Sequence, residues 1–209
     1  MDFITNALEL FQHGGWVMYP LLACSILVVA IAIERYTYYR RNCAGKTVVG
    51  TIMKLIGQRS WQELDTFCMS NHCVLSDVLA NGLRSRPDVS SVKESFEEYA
   101  SVRANAMKRN LNYLDTIVTM APLLGLLGTV IGMISSFRVL DVAGDNPALI
   151  TGGVGEALVA TATGLCVAVL SLIVHSYYAN RLDSTLTDVE VACTLAISKL
   201  RDDNNEHKK

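Results

Sequence analysis

Two apolar stretches rich in small residues limit what this chain can become. One is Ala121-Pro-Leu-Leu-Gly-Leu-Leu-Gly-Thr-Val-Ile-Gly-Met-Ile-Ser-Ser-Phe137. The other is Ile150-Thr-Gly-Gly-Val-Gly-Glu-Ala-Leu-Val-Ala-Thr-Ala-Thr-Gly-Leu165 with its apolar continuation. Each is long and apolar enough to cross a bilayer, yet each is crowded with Gly, Ala, Ser and Thr, and the second carries a carboxylate, Glu156. Small residues let helix backbones approach closely in lipid, where packing rather than hydrophobic exclusion holds helices together. An ionisable group at membrane depth marks a functional site by default. Together these features point to a helical membrane assembly whose small-residue faces line a path for an ion.

The apolar residues, 51% of the 209, are gathered in three blocks, as in a multi-span membrane protein rather than a soluble core. A formal net charge of −2 is too small to suggest nucleic acid as a partner. The six cysteines form no close pair of the CxxC kind. Cys68, His72 and Cys73 lack a fourth ligand at metal-binding spacing, so no metal is expected.

Residues 1–13 place Phe3, Ile4, Ala7, Leu8 and Phe11 at helical spacing. They read as a retained amphipathic helix on the periplasmic side of the membrane, without the basic start of a secretory signal. A first transmembrane helix is expected over 14–39, built on the charge-free run 16–33, with Pro20 near its start. Tyrosines and arginines at 35–41 read as interface anchors. A cytoplasmic helical domain follows over 40–112. Its expected pieces are a stripe of Val48, Val49, Ile52, Met53 and Ile56; a helix opened by a capping box at Ser60 and Glu63; and a stripe of Leu75, Val78, Leu79 and Leu83 ended by Gly82 and Arg86-Pro87. From Ser91 one continuous helix is expected to run into the second span. The second transmembrane helix is placed at 113–138, a short periplasmic link at 139–149, and the third transmembrane helix at 150–180. A cytoplasmic helix and a disordered tail fill 181–209, the tail beginning at Asp202.

Basic residues set the orientation. Arg35, Arg40, Arg41 and Lys46 follow the first span, Arg103, Lys108 and Arg109 precede the second, and the link between the second and third holds only Arg138. The N-terminus is therefore expected in the periplasm and the C-terminus in the cytoplasm.

Successive helical residues turn by about 100°. Gly125, Gly128, Thr129, Gly132 and Ser136 then share one side of the second span. Ala157, Ala160, Thr161, Gly164, Ala168 and Ser171 share one side of the third. Two readings fit: close packing of these helices inside one subunit, or a lumen lined by small residues. Spacing alone does not separate them. Glu156 favours the lumen, because a charge at a helix centre costs about 2.5–3.5 kcal/mol and needs a partner, water or a proton. The alternative is a carboxylate in the outer headgroup layer. Glu156 and Thr161 differ by about 140° around an ideal helix, so both cannot point squarely at one axis.

The paired motifs, with Gly14-Gly-Trp-Val-Met-Tyr-Pro-Leu-Leu22 and Ile33-Glu-Arg35 of the first span, resemble the MotA/TolQ/ExbB proton-channel family. The ExbB/TolQ branch is the nearer, since flagellar stator subunits usually have four spans. The resemblance implies an all-α integral membrane protein of three transmembrane helices, the second and third extending into a cytoplasmic helical domain. It implies an inner-membrane subunit of a motor driven by the proton-motive force, with no cofactor and protons as the coupling ion. Five copies would surround the transmembrane helices of two ExbD-like or TolR-like single-span partners, whose aspartate carries the proton. The motor would energise a TonB-type transducer for outer-membrane import or, alternatively, a TolA-type system of envelope maintenance. Motif positions put Thr129 and Thr161 at the lumen, with Glu156 close by, and leave Gly125, Gly128, Gly132, Ala157, Gly164 and Ala168 as packing faces. An intramembrane enzyme would need a second acid, a Ser/His pair or a metal motif at membrane depth. A structural scaffold would leave Glu156 unexplained.

Overall fold

The computed structural model describes residues 15–84, 89–143 and 147–206. The expected N-terminal amphipathic helix, the Arg86-Pro87 break and the Asn146 cap lie outside them. The described residues form seven helices: α1 (Met18–Asn42), α2 (Lys46–Gly57), α3 (Trp61–Ser70), α4 (Val74–Arg84), α5 (Val89–Lys108), α6 (Leu111–Ala143) and α7 (Pro147–Glu206). Three segments are long and apolar enough to cross a membrane, within Met18–Gly57, Ser91–Arg138 and Gly152–Asn204, with mean hydropathies of 1.7, 2.1 and 2.4. α7 has 60 residues, about three times the roughly 20 that the apolar layer of a bilayer accommodates. Most of it must therefore project beyond that layer.

The chain forms two compact units, one comprising 1–33 with 111–176 and the other 34–110 with 177–209. In the first, Pro20 occupies the opening turn of α1, where the missing N–H costs no intrahelical bond. Pro122 lies inside α6 and removes the bond to the carbonyl of Val118; membrane helices tolerate such a gap when neighbouring groups compensate.

The second unit is an ordinary apolar helical core. Ile52 and Ile56 of α2, Leu64 and Cys68 of α3, and Val74, Leu75, Val78 and Leu79 of α4 are buried. They are joined there by Val92 and Phe96 of α5 and by Leu182, Val189, Cys193 and Ala196 of α7. Gly82 does not end α4. It is a buried contact point within the last turn, where the Phe96 ring fills the space a side chain would need. Surface ion pairs, Arg84 to Asp65 at 2.6 Å and Arg103 to Asp77 at 2.8 Å, join α4 to α3 and α5.

Several local expectations change. α3 does begin after Ser60, but the Ser60 side chain makes no capping bond. Its backbone is engaged in ending α2: Ser60 N–H donates to Leu55 O at 3.2 Å and Arg59 N–H to Ile56 O at 3.1 Å, the two bonds of a Schellman closure. Arg59 takes the left-handed position that glycine usually fills, at φ 58°. α5 starts at Val89, so Ser91 is inside the helix and its carbonyl accepts from Ser95 Oγ at 2.9 Å. A two-residue turn at Arg109 and Asn110 interrupts the expected continuous helix. The 139–149 link is narrower than expected, since α6 stays helical through Ala143 and α7 begins at Pro147.

The acidic C-terminal segment is helical to Glu206 rather than disordered from Asp202. Arg59 holds Asp203 at 2.8 Å and Glu206 at 3.0 Å, and Trp61 Nε1 donates to Asp203 at 3.2 Å. Carboxylates at a helix C-terminus oppose its dipole, and one guanidinium offsets several of them.

Arg35 is a second departure. Expected to anchor at a membrane surface, it is only 3% exposed. It donates to Met107 O at 2.9 Å, grips the Glu34 carboxylate at 2.6 and 2.8 Å, and lies 4.7 Å from the Tyr38 ring centroid. Tyr39, also buried, stacks on Tyr178 with centroids 5.3 Å apart.

The cysteines among the described residues are all free thiols. Burial pushes the Cys68 thiol up to about 11. A folded-state value above the ordinary 9.0 means that the unfolded chain ionises first. The stability this contributes is complete below about pH 9 and fades between pH 9 and 11. Cys68 should resist iodoacetamide in the folded protein at pH 8, then react at once in denaturant; mass spectrometry of the alkylated peptide reads both. Arg35→Leu should cost about 2 kcal/mol, because buried acceptors lose a charged donor, visible as a lower thermal midpoint.

Candidate functional site: the small-residue seam of α6 and α7

The glycines of α6 and the small residues of α7 face each other within one chain. A methyl group added at Gly125 would lie 3.0 Å from Thr161 Cα; at Gly128, 2.6 Å from Ala160 Cβ; and at Gly132, 2.8 Å from Ala157 Cβ. One at Gly164 would lie 2.6 Å from the Ala121 carbonyl oxygen. The last three approaches are closer than real Cβ contacts allow and the first is tighter than most, so the side-chain hydrogen of glycine sets the helix separation. Ala157, Ala160 and Ala168 are buried on the same seam. At one end the Ser136 hydroxyl donates to Gly132 O at 2.9 Å and fills the space that a Gly153 side chain would take. At the other, Ser171 Oγ donates to Leu114 O at 3.0 Å.

The polar candidates sit at the edges of this seam. Thr161 is half-buried and donates across the helices to Gly125 O at 2.8 Å. Thr129 is half-buried as well, but its hydroxyl turns back to Leu126 O at 2.6 Å on its own helix. Glu156 is half-buried and points elsewhere, its Oε1 lying against Gly15 just before α1. Glu156 and Thr161 thus meet different neighbours, α1's approach and α6 respectively. Thr163, almost in line with Glu156 around the helix, bonds back to Val159 O at 2.8 Å.

Large apolar side chains cover the remaining faces. Leu123, Leu126, Val130, Ile134 and Phe137 on α6, and Leu158, Leu165, Val169, Leu170 and Ile173 on α7, are open to the surroundings. A cavity of about 180 Å³ beside α1 is lined by Ser25, Val28, Val29, Ala32, Ile33, Val167, Leu170 and Val174. None of the three polar candidates reaches it. Nothing in the described residues suggests a metal centre either: no group of three His, Cys, Asp or Glu residues gathers there.

Sequence reasoning missed Gly15 and misread Arg35. Gly15 has φ +68°, a conformation that side chains rarely adopt, and the paired Gly14-Gly15 was the available signal. For Arg35 the signal was a lone Glu-Arg pair closing an apolar run.

Enlarging the seam tests its closeness. Gly128→Leu should separate α6 from α7 and cost about 1–3 kcal/mol, as overpacking of tight interiors does. Thr161→Val should cost much less, about 0.6 kcal/mol, typical of one interhelical hydrogen bond in a membrane. Thermal unfolding in detergent should rank them in that order.

Comparison with known proteins agrees with this architecture. Residues 70–191 match the MotA/TolQ/ExbB proton channel family. An ExbB homolog of Methanothermobacter thermautotrophicus, named as a candidate biopolymer transport protein, is 31% identical over 91% of this chain and 69% of its own length. An ExbB-like protein of Synechocystis sp. is 33% identical over 80% of this chain and 68% of its own. The biopolymer transport protein ExbB of Salmonella typhimurium is 36% identical over 44% of this chain and 40% of its own. The family is one of channels, not of enzymes. This chain, a multi-pass membrane protein, belongs to the MotA/TolQ/ExbB proton channel family.

Proposed function

We propose that the chain is the ring-forming subunit of an inner-membrane motor driven by the proton-motive force. In this reading five copies surround the transmembrane helices of two ExbD-like partners, and the assembly energises a TonB-type transducer for outer-membrane import. The N-terminus lies in the periplasm, with 40–112 and 181–209 in the cytoplasm. A TolQ-like role, with a TolR-like partner and a TolA-like transducer, is the second reading. The relatives' names favour the first.

The observation that carries the proposal is the use of the small-residue faces. The glycines of α6 are occupied by α7 of the same chain, so one copy has no open groove between these helices for an ion to follow. Thr129, Thr161 and Glu156 remain as partly open polar groups on apolar helices. Several copies arranged around an axis would bring such groups to a common lumen, and a partner's carboxylate would carry the proton past them. A proton crossing the membrane releases about 2.3 kcal/mol per 100 mV, several times thermal energy, which suffices to bias a rotation.

Two measurements test this. The mass of the complex purified with its single-span partner should equal five copies of this chain plus two of the partner; a lone chain without partner contradicts the motor. In cells, Thr161→Val and Glu156→Ala should each lower proton-dependent uptake by about tenfold, equivalent to about 1.4 kcal/mol of barrier. Unchanged uptake removes the substituted residue from the path.

A further inference from the structure

We propose that Gly15 is a positioning residue that seats the carboxylate of Glu156. The proposal rests on the reading above that Glu156 belongs to the proton path, and adds the element that fixes where its carboxylate lies.

Two independent observations meet at Gly15. Its backbone is left-handed, at φ +68°, a region that glycine enters freely and asparagine tolerates, while most side chains resist it. Separately, the space where a Cβ would sit is already taken. Glu156 Oε1 occupies it, with Glu156 Cδ 3.4 Å and Cγ 3.9 Å from that point. A glycine needed only for its backbone angle would not require a carboxylate in the place of its side chain.

The location gives the contact its purpose. Met18 N–H donates to Gly15 O at 3.1 Å, so Gly15 opens the turn that leads into α1. N–H groups at the start of a helix lack intrahelical acceptors and carry the positive end of the helix dipole. Glu156 reaches toward this end, away from the seam where Ala157 and Ala160 meet α6. A glutamate side chain has several rotatable bonds and would otherwise sweep a wide volume. Pressed against a bare glycine, its carboxylate is held beside the start of α1.

The test uses the full chain with its single-span partner in right-side-out membrane vesicles, where influx runs from the periplasmic to the cytoplasmic face. Proton influx is driven by a potassium diffusion potential and read with a pH-sensitive dye. Gly15→Ala and Gly15→Asn both insert a Cβ, but only alanine also strains the left-handed backbone. Both should lower influx about fivefold or more, a factor that modest packing changes readily produce. Glu156→Asp shortens the acid and withdraws the atom that the new side chain would strike. The Gly15→Asn, Glu156→Asp double variant should therefore conduct as well as Glu156→Asp alone, whereas the alanine double variant keeps its backbone strain. Normal influx in Gly15→Asn, or a Gly15→Asn, Glu156→Asp double variant still impaired relative to Glu156→Asp, overturns the proposal.

Glu156→Gln separates the two claims. Undiminished influx there removes Glu156 from the path, a failure of the underlying reading. Thermal unfolding of the same variants reads the seating without reference to influx. Gly15→Asn should lower the midpoint and Glu156→Asp should restore it; an unchanged midpoint in Gly15→Asn shows that no seating contact exists.

Discussion

The close approach of α6 to α7 is the constraint on which the membrane unit depends. In lipid, apolar side chains gain nothing by leaving the solvent for a protein neighbour, so helices hold together through contact and a few hydrogen bonds. Gly125, Gly128, Gly132 and Gly164 remove the side chains that would keep the backbones apart, and Ala157 and Ala160 supply the matching shallow surface. Thr161 adds one cross-helix hydrogen bond to Gly125 O. The functional consequence is negative in form: once these faces are joined, no small-residue groove of this pair is left for an ion within one copy.

That consequence separates packing from conduction. The glycines close the seam, and the half-buried Thr129, Thr161 and Glu156 lie at its edges. The wide apolar faces on both helices suit lipid. The second unit is of a different kind, held by ordinary aliphatic burial around Ile52, Ile56, Leu75 and Leu79. Among the described residues, buried Arg35 is its one costly charge, compensated by Glu34 and by Met107 O.

Much of this was legible in the residues. Three uncharged runs announced three membrane helices, and the spacing of glycines and alanines announced two small faces. The stripes at Ile52 and Ile56 and at Val78 and Leu79 identified core positions correctly. Spacing could not say which surface a small face meets, because a groove that fits a helix of the same chain also fits another. Arg35 was misread because a basic residue among tyrosines looks the same in sequence whether it anchors at a membrane or bonds a buried carbonyl. The helical tail was hidden by distance. Asp202 and Asp203 are poor residues for ending a helix, and their stabilising partner, Arg59, lies more than 140 positions away. Ser60 carried a true helix boundary but a false mechanism, since its backbone was engaged in closing α2.

The central claim is that the small-residue faces join within a chain and leave conduction to the spaces between chains. Disulfide trapping tests it most directly. On a background lacking the six native cysteines, Gly132→Cys and Ala157→Cys are placed either on the same chain or on separate, differently tagged chains expressed together. The account predicts oxidation to a cross-link within a single chain when both substitutions share it, and no linked pair when they are apart. Efficient cross-linking between the separately substituted chains would contradict it.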